Sequence, residues 1–510
     1  MKKLWLFIPT FLYISLSFSQ IVFECGGALE YPNTEQFSAN CSRQSSTFIN
    51  RYDKVSTYIP SNNEETKIIK LNFIIFQDDF GNGNFIDDPN DNDWGLPPLN
   101  DIVFWINDVY ENHRVPSDSI PNGITTTLPK MYIQFEVEYY FYQSSTFVND
   151  ISNNSGMLQY LADNDPDRLK NLNVFFTEPS GTNCDWAYAS MPNFNFNNHL
   201  FVHMHCVASK AQNGGLFAAA LTLAHELGHT LDLCHTYYGG GCTNPAVDQT
   251  QNVTWFDDVF GTPFPGNAPH PIPIWYYDPY LDPYDGYTNN LMGGVRAYHA
   301  SPKQIGRMHS SLALRTTRKY LKDCVYNTNS LVINSNEFWD FDILLDRDID
   351  ITNNSLVEFT CKTYMPSGSS IIVNSGSTLI VDDALISNWC DDAWEGTIEV
   401  KPNAVLHLKP GSDVRLKGNG KILIHNGGKL IYEENAQILL SDDVTHLEIN
   451  GDLEIGANAV FTFTGDGFMR FNITPNPGVW TNITATPTSS IILNGSGKTD
   501  KVLEVMDGSW

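Results

Sequence analysis

The sequence predicts two folded parts in succession, an α+β domain and then an all-β domain. The chain has 510 residues, more than one compact core normally holds. In the first part, apolar runs of strand length alternate with runs of helical periodicity. From about Cys324 onward, short β-branched segments recur roughly every eight residues, separated by Asn, Gly, Asp or Pro turns.

The composition is that of a globular chain and argues against a nucleic-acid partner. Hydrophobic residues make up 42% of the sequence and charged residues 17%. The formal net charge is −28, from 58 acidic against 30 basic residues. Such a chain has no positive field to replace the counterions of a nucleic acid.

The N-terminus has the pattern of an export signal. Two lysines open the chain, an apolar run follows from Leu4 to Phe18, and Ser17-Phe18-Ser19 matches a small-x-small cleavage site. We therefore expect a signal peptide over residues 1–19 and a secreted or cell-surface protein. No later stretch of the sequence is apolar for long enough to span a bilayer.

Nine cysteines also fit an oxidising compartment. Because nine is an odd number, at least one cysteine is unpaired or has another role. Cys361 and Cys390 are close enough in sequence for us to predict a local disulfide. The sequence leaves open the pairing among Cys184, Cys206, Cys234 and Cys242.

The first part divides into an N-terminal segment and a domain. Residues 20–65 are polar and weakly periodic, which is typical of a pro-segment or an N-terminal wrap. Residues 66–323 form the predicted α+β domain. Its predicted strands are Ile68–Phe76, Tyr132–Tyr142, Asn171–Thr177 and His199–Val207, and its predicted helices are Asn100–Asn112, Leu216–Leu231 and Ser301–Leu321.

Two polar features of this domain have more than one interpretation. The acidic stretch from Asp78 to Asp93 could bind calcium, but its spacing is not that of a helix-loop-helix calcium site and favours a solvated loop. His203 and His205 share one face of their strand and could be metal ligands. Strand alternation alone also places them together, so we favour a cleft lining or a polar edge.

The last part, residues 324–510, is the predicted all-β domain. Its short strands include Ile398–Val400, Val405–Leu408 and Ile422–Ile424. Aligned Gly and Asn turns favour a right-handed parallel β-helix over a sandwich. No cluster of acids and bases stands out in this part of the sequence, which argues against a polysaccharide lyase. We expect a spacer or adhesion module that contacts a cell surface or glycans.

The helix predicted over Leu216–Leu231 carries the pattern H-E-x-x-H in His225, Glu226 and His229. Residues four apart share a helix face, so the two imidazoles can hold one metal ion. His235 adds a third nitrogen and leaves one coordination position open, as catalytic zinc sites do. Glu226 is placed to act as general base on a zinc-activated water. The predicted chemistry is hydrolysis of an amide bond.

With a methionine following at a suitable distance, this pattern resembles the metzincins and, within them, the pappalysin (cytophagalysin) family of secreted zinc metalloproteases. The resemblance covers roughly residues 66–323. It implies a metzincin-like α+β domain with a twisted mixed sheet, an active-site helix and a C-terminal helix. The residues it assigns are three zinc ligands, a catalytic base and the Met-turn methionine: His225, His229 and His235, Glu226, and Met292.

Further segments carry the same resemblance. His235–Cys242 is similar to the family's His-Thr-aromatic-Gly-Gly-Cys continuation, with one residue more. Asp258–Pro263 looks like its Asp-x-x-Asp-Thr-Pro segment, with Gly261 in place of the second Asp. Cys25 resembles the cysteine of an N-terminal Cys-Gly element, whose thiolate could occupy the open zinc position in a latent form. A disulfide between Cys25 and Cys41 is the alternative.

The chain departs from the family pattern at three points. Asp232 stands where the family has Gly, at the point where the chain leaves the helix with φ > 0. Asp tolerates that conformation better than most residues, so we expect an intact site. Gly294 stands where related enzymes often carry Tyr, with Tyr298 the nearest tyrosine, and the usual cysteine after the Met-turn is missing.

Two functions are compatible with these features. The leading hypothesis is a secreted zinc endopeptidase that acts on protein or peptide substrates. The alternative is a non-catalytic secreted surface protein, an adhesin or a glycan- or protein-binding protein, whose protease site has decayed. Asp232 and Gly294 would then mark the decay.

Overall fold

The structure is a computed structural model. It describes residues 41, 51–54, 57–62, 64–112, 128–179, 187–193, 198–212, 215–233, 291–292, 299–300, 302–322, 324–461, 463–464, 466–472, 483–485, 490–491 and 503–506. These residues form two regions, each with an apolar core of its own. We call residues 64–322 the sheet-and-helix region and residues 324–506 the parallel-strand region. The predicted signal peptide lies outside the described residues.

A five-stranded mixed sheet forms the centre of the sheet-and-helix region. Its strands are β1 (Lys67–Gln77), β2 (Ile133–Gln143), β3 (Leu172–Thr177), β4 (Ala187–Ala189) and β5 (Phe201–His205). The order is β2-β1-β3-β5-β4, with β4 antiparallel to β5 and the other pairs parallel. Strand β3 is buried along its whole length, as expected for a central strand that is covered on both faces.

Helices pack on this sheet. They are α1 (Leu96–Glu111), α2 (Ser145–Val148), α3 (Asn154–Asn164), α4 (Val207–Gln212), α5 (Leu216–Thr230) and α6 (Pro302–Leu314), with 3-10 turns at Pro166–Lys170 and Thr316–Tyr320. Helix α1 starts before the predicted Asn100, because two prolines fit the first turn, where no backbone donor is needed. Helix α1 packs against α5, which carries the metal-binding pattern. No helix in the described part of the chain is long and apolar enough to cross a membrane.

The C-terminal helix is shorter than predicted. Helix α6 ends at Leu314 rather than near Leu321, and its predicted first residue, Ser301, lies outside the described residues. Arg315 is extended, with φ −114° and ψ 177°, and its guanidinium makes ion pairs with two aspartates. The next backbone N–H, that of Thr316, donates to the Asn193 carbonyl at 2.7 Å. These tertiary contacts replace the helical hydrogen bonds.

The parallel-strand region consists of short strands. They are β6 (Asn327–Ile333), β7 (Glu337–Trp339), β8 (Ile343–Leu344), β9 (Arg347–Ile351), β10 (Leu356–Phe359), β11 (Thr363–Tyr364), β12 (Ser370–Val373), β13 (Thr378–Val381), β14 (Leu385–Ser387), β15 (Thr397–Val400), β16 (Val405–Leu408), β17 (Asp413–Leu416), β18 (Lys421–Ile424), β19 (Lys429–Tyr432), β20 (Gln437–Leu440), β21 (His446–Ile449), β22 (Asp452–Ile455), β23 (Val460–Phe461), β24 (Phe463–Thr464), β25 (Phe468–Asn472), β26 (Ile483–Ala485), β27 (Ser490–Ile491) and β28 (Leu503–Met506).

Three parallel sheets arise because each strand from β6 to β19 pairs with the strand three places further along the chain. The spacing becomes four for β20, β21 and β22. Strand β12 pairs with β15, β15 with β18, and β18 with β21, all in parallel register. The strands alternate between inward and outward residues, and inward side chains such as Ile398 and Val400 are fully buried. The strand segments predicted between Ile398 and Leu440 all coincide with strands of these sheets.

The turns between strands also stack on one another. Asn403 and Gly376 both have positive φ, 61° and 80°, and the Gly376 N–H donates to the Asn403 carbonyl at 3.1 Å. A Cβ on Gly376 would lie 1.9 Å from the Asn354 side-chain oxygen, so the stack has no room for a larger residue there. Asn and Gly recur at these turns because both accept the left-handed conformation.

The described residues 51–54 contact both regions. Tyr52 is buried in the parallel-strand core against Trp339 and Phe341, with ring centroids 4.8 and 5.0 Å away, and its hydroxyl hydrogen-bonds Glu337. Its neighbour Asp53 pairs with Arg315 at 3.3 Å, at the end of the C-terminal helix. This part of the segment that was predicted to be a pro-segment or a wrap is therefore packed into the fold.

The disulfides correct two predictions. The structure pairs Cys41 with Cys361 and Cys324 with Cys390, so the predicted Cys361–Cys390 bridge is wrong. Strands β11 and β14 pair in parallel, and Cys361 precedes β11 whereas Cys390 follows β14, which places the two cysteines at opposite ends of the pair. The alternative of a Cys25–Cys41 bridge is also wrong, because Cys41 is bonded elsewhere. Cys206 is disulfide-bonded as well.

Candidate metal centre

Helix α5 brings two of the predicted zinc ligands together. Its first half is rich in Ala and Leu, which favours a helix, and every residue from Ala219 to Thr230 is buried. His225 and His229 lie one turn apart on it, with ring centroids 5.0 Å apart and ring planes nearly perpendicular at 87°. The pair is 8% and 3% exposed, so any ion between the rings would be shielded from bulk water.

A backbone carbonyl fixes the orientation of each ring. Nδ1 of His225 lies 2.7 Å from the Leu291 carbonyl, and Nδ1 of His229 lies 2.7 Å from the Leu233 carbonyl. A carbonyl oxygen only accepts, so each Nδ1 carries a hydrogen and donates it. In a neutral imidazole the lone pair is then on Nε2, which is the form that binds a metal.

Burial keeps both rings neutral. It lowers the pKa of His225 to about 4. Burial, and then the neighbouring His225, lower the pKa of His229 to about 3. Metal ligation requires the deprotonated ring, so the ligand form is the one present at neutral pH.

Glu226 follows His225 on the helix and is 1% exposed. The helix around it is fixed from two sides. The Tyr110 hydroxyl of α1 donates to the Ala224 carbonyl at 3.1 Å, and the Thr317 hydroxyl donates to the Thr230 carbonyl at 2.6 Å. A carboxylate is therefore held in a dry environment beside the first histidine, where its interactions are stronger than in water.

Met292 lies directly against the motif helix. It is fully buried, and a Cβ on Gly228 would come within 2.6 Å of its sulfur. Gly228 sits between Glu226 and His229 in the pattern, and its missing side chain lets the methionine approach the helix. Leu291, whose carbonyl accepts from His225, precedes Met292, so one short segment contacts the motif twice.

Asp232 adopts the left-handed conformation that the sequence predicts, with φ +72°. The Asp232 N–H donates to the His229 carbonyl at 2.9 Å, and the Leu233 N–H donates to the Gly228 carbonyl at 3.0 Å. This pair of hydrogen bonds is the Schellman helix ending, in which Gly is the usual left-handed residue. The Asp232 carboxylate lies 3.1 Å from both Arg307 Nη1 and Arg315 Nε.

Several residues of the predicted site lie outside the described residues. They are His235, Cys25, Cys242, the segment Asp258–Pro263, Gly294 and Tyr298. The structure therefore brings together His225, Glu226, His229 and Met292. The third ligand and the latency thiol stay predictions.

The histidine pair on β5 is neither a ligand pair nor a cleft lining. His203 is fully buried, with its ring nitrogens 3.0 Å from the Thr177 hydroxyl and 2.9 Å from the Tyr188 hydroxyl. The same Thr177 hydroxyl lies 2.8 Å from His205 Nδ1. The favoured interpretation is corrected because neighbouring elements cover this face and supply the hydrogen-bond partners.

The other candidate metal groups do not offer a site. Within the described ranges, one group of His, Cys, Asp or Glu converges closely, namely Cys41, Asp342 and Cys361. Its two cysteines form a disulfide and supply no thiolate. In the acidic stretch from Asp78 to Asp93, for which a solvated loop was the favoured interpretation, Asp78 accepts hydrogen bonds from the backbone N–H groups of Phe80 and Asn82. These bonds close a surface turn.

Sequence reasoning missed the groups that hold the histidines in place. Leu233 and Leu291 act through their carbonyls, and since every residue has a carbonyl, the sequence carries no signal for them. Arg307 lies in helix α6 and Arg315 directly follows it. Arginines are mostly exposed in folded proteins, so the sequence did not indicate that both of these would be buried.

Comparison with known proteins adds little to this description. No protein-family model and no curated protein matches the chain. Among solved structures, it is similar to the mature mirolysin of Tannerella forsythia in complex with a cleaved peptide. The two share 14% identity at a TM-score of 0.33, over 51% of this chain and 97% of that chain. A similarity this low carries no argument about activity, which therefore has to be inferred from the residues around α5.

Proposed function

We propose that this protein is an exported zinc-dependent endopeptidase with a metzincin-like catalytic domain of the pappalysin type. The observation that carries the proposal is the paired orientation of His225 and His229. Both donate through Nδ1 to a carbonyl, so both can present Nε2 to one ion. Two surface histidines that merely matched the pattern by chance would need no such support.

The residues present fit a zinc ion. Neutral imidazoles are ligands that zinc favours, and hydrogen bonds from their other nitrogen to carbonyls are the usual support. His225 and His229 would hold the ion, with His235 proposed as the third ligand. When bound, zinc supplies a Lewis acid that polarises the scissile carbonyl and makes a water molecule more acidic.

The chain's own residues then do the proton transfer and hold the geometry. Glu226 accepts a proton from the attacking water and passes it to the amide nitrogen that leaves. Its burial strengthens the interaction with that water, because competing solvent is excluded. Met292 and Gly228 keep the helix backbone in place beneath the histidines.

The rest of the molecule supports a role outside the cytoplasm. Two disulfides join described cysteines, which fits an oxidising compartment and the export signal in the sequence. The three-strand period of the parallel-strand region supports its assignment as a parallel β-helix, proposed to be right-handed. We assign that region to contact with a cell surface or glycans, while the peptide substrate binds at the helix α5 site.

The alternative is a non-catalytic surface protein with a decayed site. Asp232 was one of its two marks, but this residue forms a regular helix ending. The second mark, Gly294, lies outside the described residues. Zinc content separates the two functions, because an intact three-histidine site fills with metal at neutral pH.

The test uses the purified full chain with casein or gelatin as substrate and elemental analysis for zinc. Glu226→Ala should keep about one zinc per chain and lose at least about 100-fold in cleavage rate, since general bases contribute this much or more. His229→Ala should lose both zinc and cleavage. Glu138→Ala, an exposed glutamate on β2, is the matched control and should change neither.

Two outcomes would contradict the proposal. Undiminished cleavage by Glu226→Ala would remove the glutamate from the mechanism. Less than about half an equivalent of zinc in the unaltered protein would favour the decayed site, because a complete ligand set should fill.

A further inference from the structure

Helix α5 ends in a turn that a buried cluster of four charged side chains holds. Asp232 contacts Arg307 and Arg315 at 3.1 Å each, and Arg315 contacts Asp53 at 3.3 Å. All four side chains are less than 10% exposed. Buried charges persist only when they are paired, so the positions of these four residues depend on one another.

The turn that carries Asp232 also orients a proposed zinc ligand. Asp232 reverses the chain with φ +72°, and the next residue, Leu233, directs its carbonyl back to His229 Nδ1 at 2.7 Å. Without this reversal, the Leu233 carbonyl would continue away from the helix. The ring orientation of His229 thus depends on the conformation of one residue three places further along the chain.

We infer that Asp232 is a positioning residue for metal binding, acting through its arginine partners on the turn that holds His229. This inference rests on the proposed function, because it assumes that His229 is a ligand. Glycine at this position would permit the turn but would not anchor it. In this chain, the carboxylate connects the turn to helix α6 through Arg307 and to the N-terminal segment through Arg315 and Asp53.

The same cluster links the metal centre to the parallel-strand region. Asp53 follows Tyr52, whose ring is buried in the parallel-strand core. Tyr52 is next to Asp53 in the chain, and Asp53 pairs with Arg315. Arg315 also pairs with Asp232, whose turn holds the ring of His229. Removing the carboxylate would take one counter-charge from Arg307 and one from Arg315, and the turn would lose its anchor.

The main test is Asp232→Gly in the full chain, because this variant keeps the left-handed conformation available and removes only the side chain. Zinc affinity is measured by competition with a chromogenic chelator, and the site is probed by the visible absorption of the cobalt-substituted protein. We expect zinc affinity to fall about 10- to 100-fold, as it does when residues that orient metal ligands are removed. The cobalt spectrum should change in the same variant.

Two further variants separate positioning from loss of stability. Asp342→Asn weakens a different arginine pair, Arg318–Asp342 at 3.4 Å, in which the arginine side chain is 1% exposed and the aspartate side chain 20% exposed. It should lower the melting temperature and leave zinc affinity and the cobalt spectrum unchanged. Arg307→Gln should weaken zinc binding less than Asp232→Gly does, and the double variant should bind no more weakly than Asp232→Gly alone. If Asp232→Gly does not fold, the positioning role is tested instead by comparing the zinc affinity of Arg307→Gln with that of Asp342→Asn.

The outcomes distinguish this inference from the proposed function. If Asp232→Gly keeps the parent's zinc affinity and cobalt spectrum, the positioning role is overturned, whatever the protein cleaves. If the parent binds zinc and the variants weaken it, the role stands even when no substrate is cleaved. A parent that binds no zinc would overturn both.

Discussion

The two regions of this chain bury different kinds of side chain. The parallel-strand region buries Glu337 and Asp340 near its start, but from residue 343 to residue 461 its buried polar residues are all Ser, Thr or Asn. The sheet-and-helix region buries His203, His229, Asp232, Arg307 and other ionisable groups. A buried ionisable group destabilises a fold unless it has specific partners, so a chain retains such groups where they serve a purpose. The comparison favours the sheet-and-helix region as the place of the proposed chemistry.

The parallel-strand region also differs from the sheet-and-helix region in that its strands and turns repeat. In the parallel-strand region each four-residue strand repeats the same inward and outward alternation, and each turn rests on an equivalent turn. Stability there is spread over similar units. At the candidate metal centre, by contrast, Gly228, Asp232 and Met292 each make a different contact.

The largest effect that we expect comes from a cavity in the repeating core. Leu406→Ala removes a fully buried side chain from β16 and should lower the free energy of unfolding by about 2–5 kcal/mol. Chemical denaturation measures the loss, and zinc affinity should not change. Leu223→Ala, at a fully buried position on α5, is the control and should lower stability and zinc affinity together. Equal loss of zinc binding in both variants would show that the regions are one energetic unit.

Acid should destabilise the sheet-and-helix region in particular. Burial, with help from Lys210, lowers the pKa of His205 to about 4, and burial with Lys67 lowers that of His309 to about 3. The unfolded chain takes up a proton at each histidine near pH 6.5, whereas the folded chain does not. Their stability contribution is therefore complete above pH 6.5 and is lost as the pH falls toward 4 and then 3. Each should contribute a slope of about 1.4 kcal/mol per pH unit below 6.

Denaturant midpoints between pH 7 and pH 5 measure this slope. His309→Gln keeps a donor for the Met131 carbonyl, which lies 3.0 Å from His309 Nε2, and removes the titrating ring. In this variant the slope of the unfolding free energy against pH should fall by the contribution of one proton, about 1.4 kcal/mol per pH unit. Hydrogen exchange of peptides from β12 to β18 provides the reference, because the buried residues described there include no histidine. An unchanged slope in His309→Gln would contradict the assignment.

The smallest expected effect is at Gly228. Alanine favours a helix by up to about 1 kcal/mol, but its Cβ would meet the Met292 sulfur at 2.6 Å. Crowding of this kind outweighs the helix propensity, so Gly228→Ala should be destabilised by about 1 kcal/mol and should bind zinc more weakly. The melting temperature and zinc affinity measure both effects. In the background of Met292→Ala, which removes the sulfur, Gly228→Ala should be less destabilising than it is in the parent. A Gly228→Ala variant that is more stable than the parent would refute the close contact.

Features with a local cause could be predicted from the sequence. The strands between Ile398 and Leu440 were predicted because alternation and turn residues act within a few positions. Helix α5 and the shared face of His225 and His229 follow from the spacing of the pattern and from the Ala and Leu content. The left-handed conformation of Asp232 agrees with what the family resemblance implied, since the family has Gly at this position.

Features that depend on distant parts of the chain could not be predicted. Cys41 pairs with a cysteine 320 residues away, and only the folded topology brings them together. Arg315 leaves the helical conformation to reach Asp232 and Asp53, which shortens a helix that local propensity would continue. The Leu291 and Leu233 carbonyls that orient the histidines could not be predicted either, because nothing in the sequence distinguishes these two leucines from others.

The Cys41–Cys361 disulfide has a consequence for how maturation of this protein would be observed. A protease that nicks the chain between Cys41 and β1 produces two polypeptides that stay covalently joined. They would migrate as one band on a non-reducing gel and separate only after reduction. Activation by such a nick would therefore leave the apparent mass unchanged, and the new N-terminus would be detected by sequencing rather than by size.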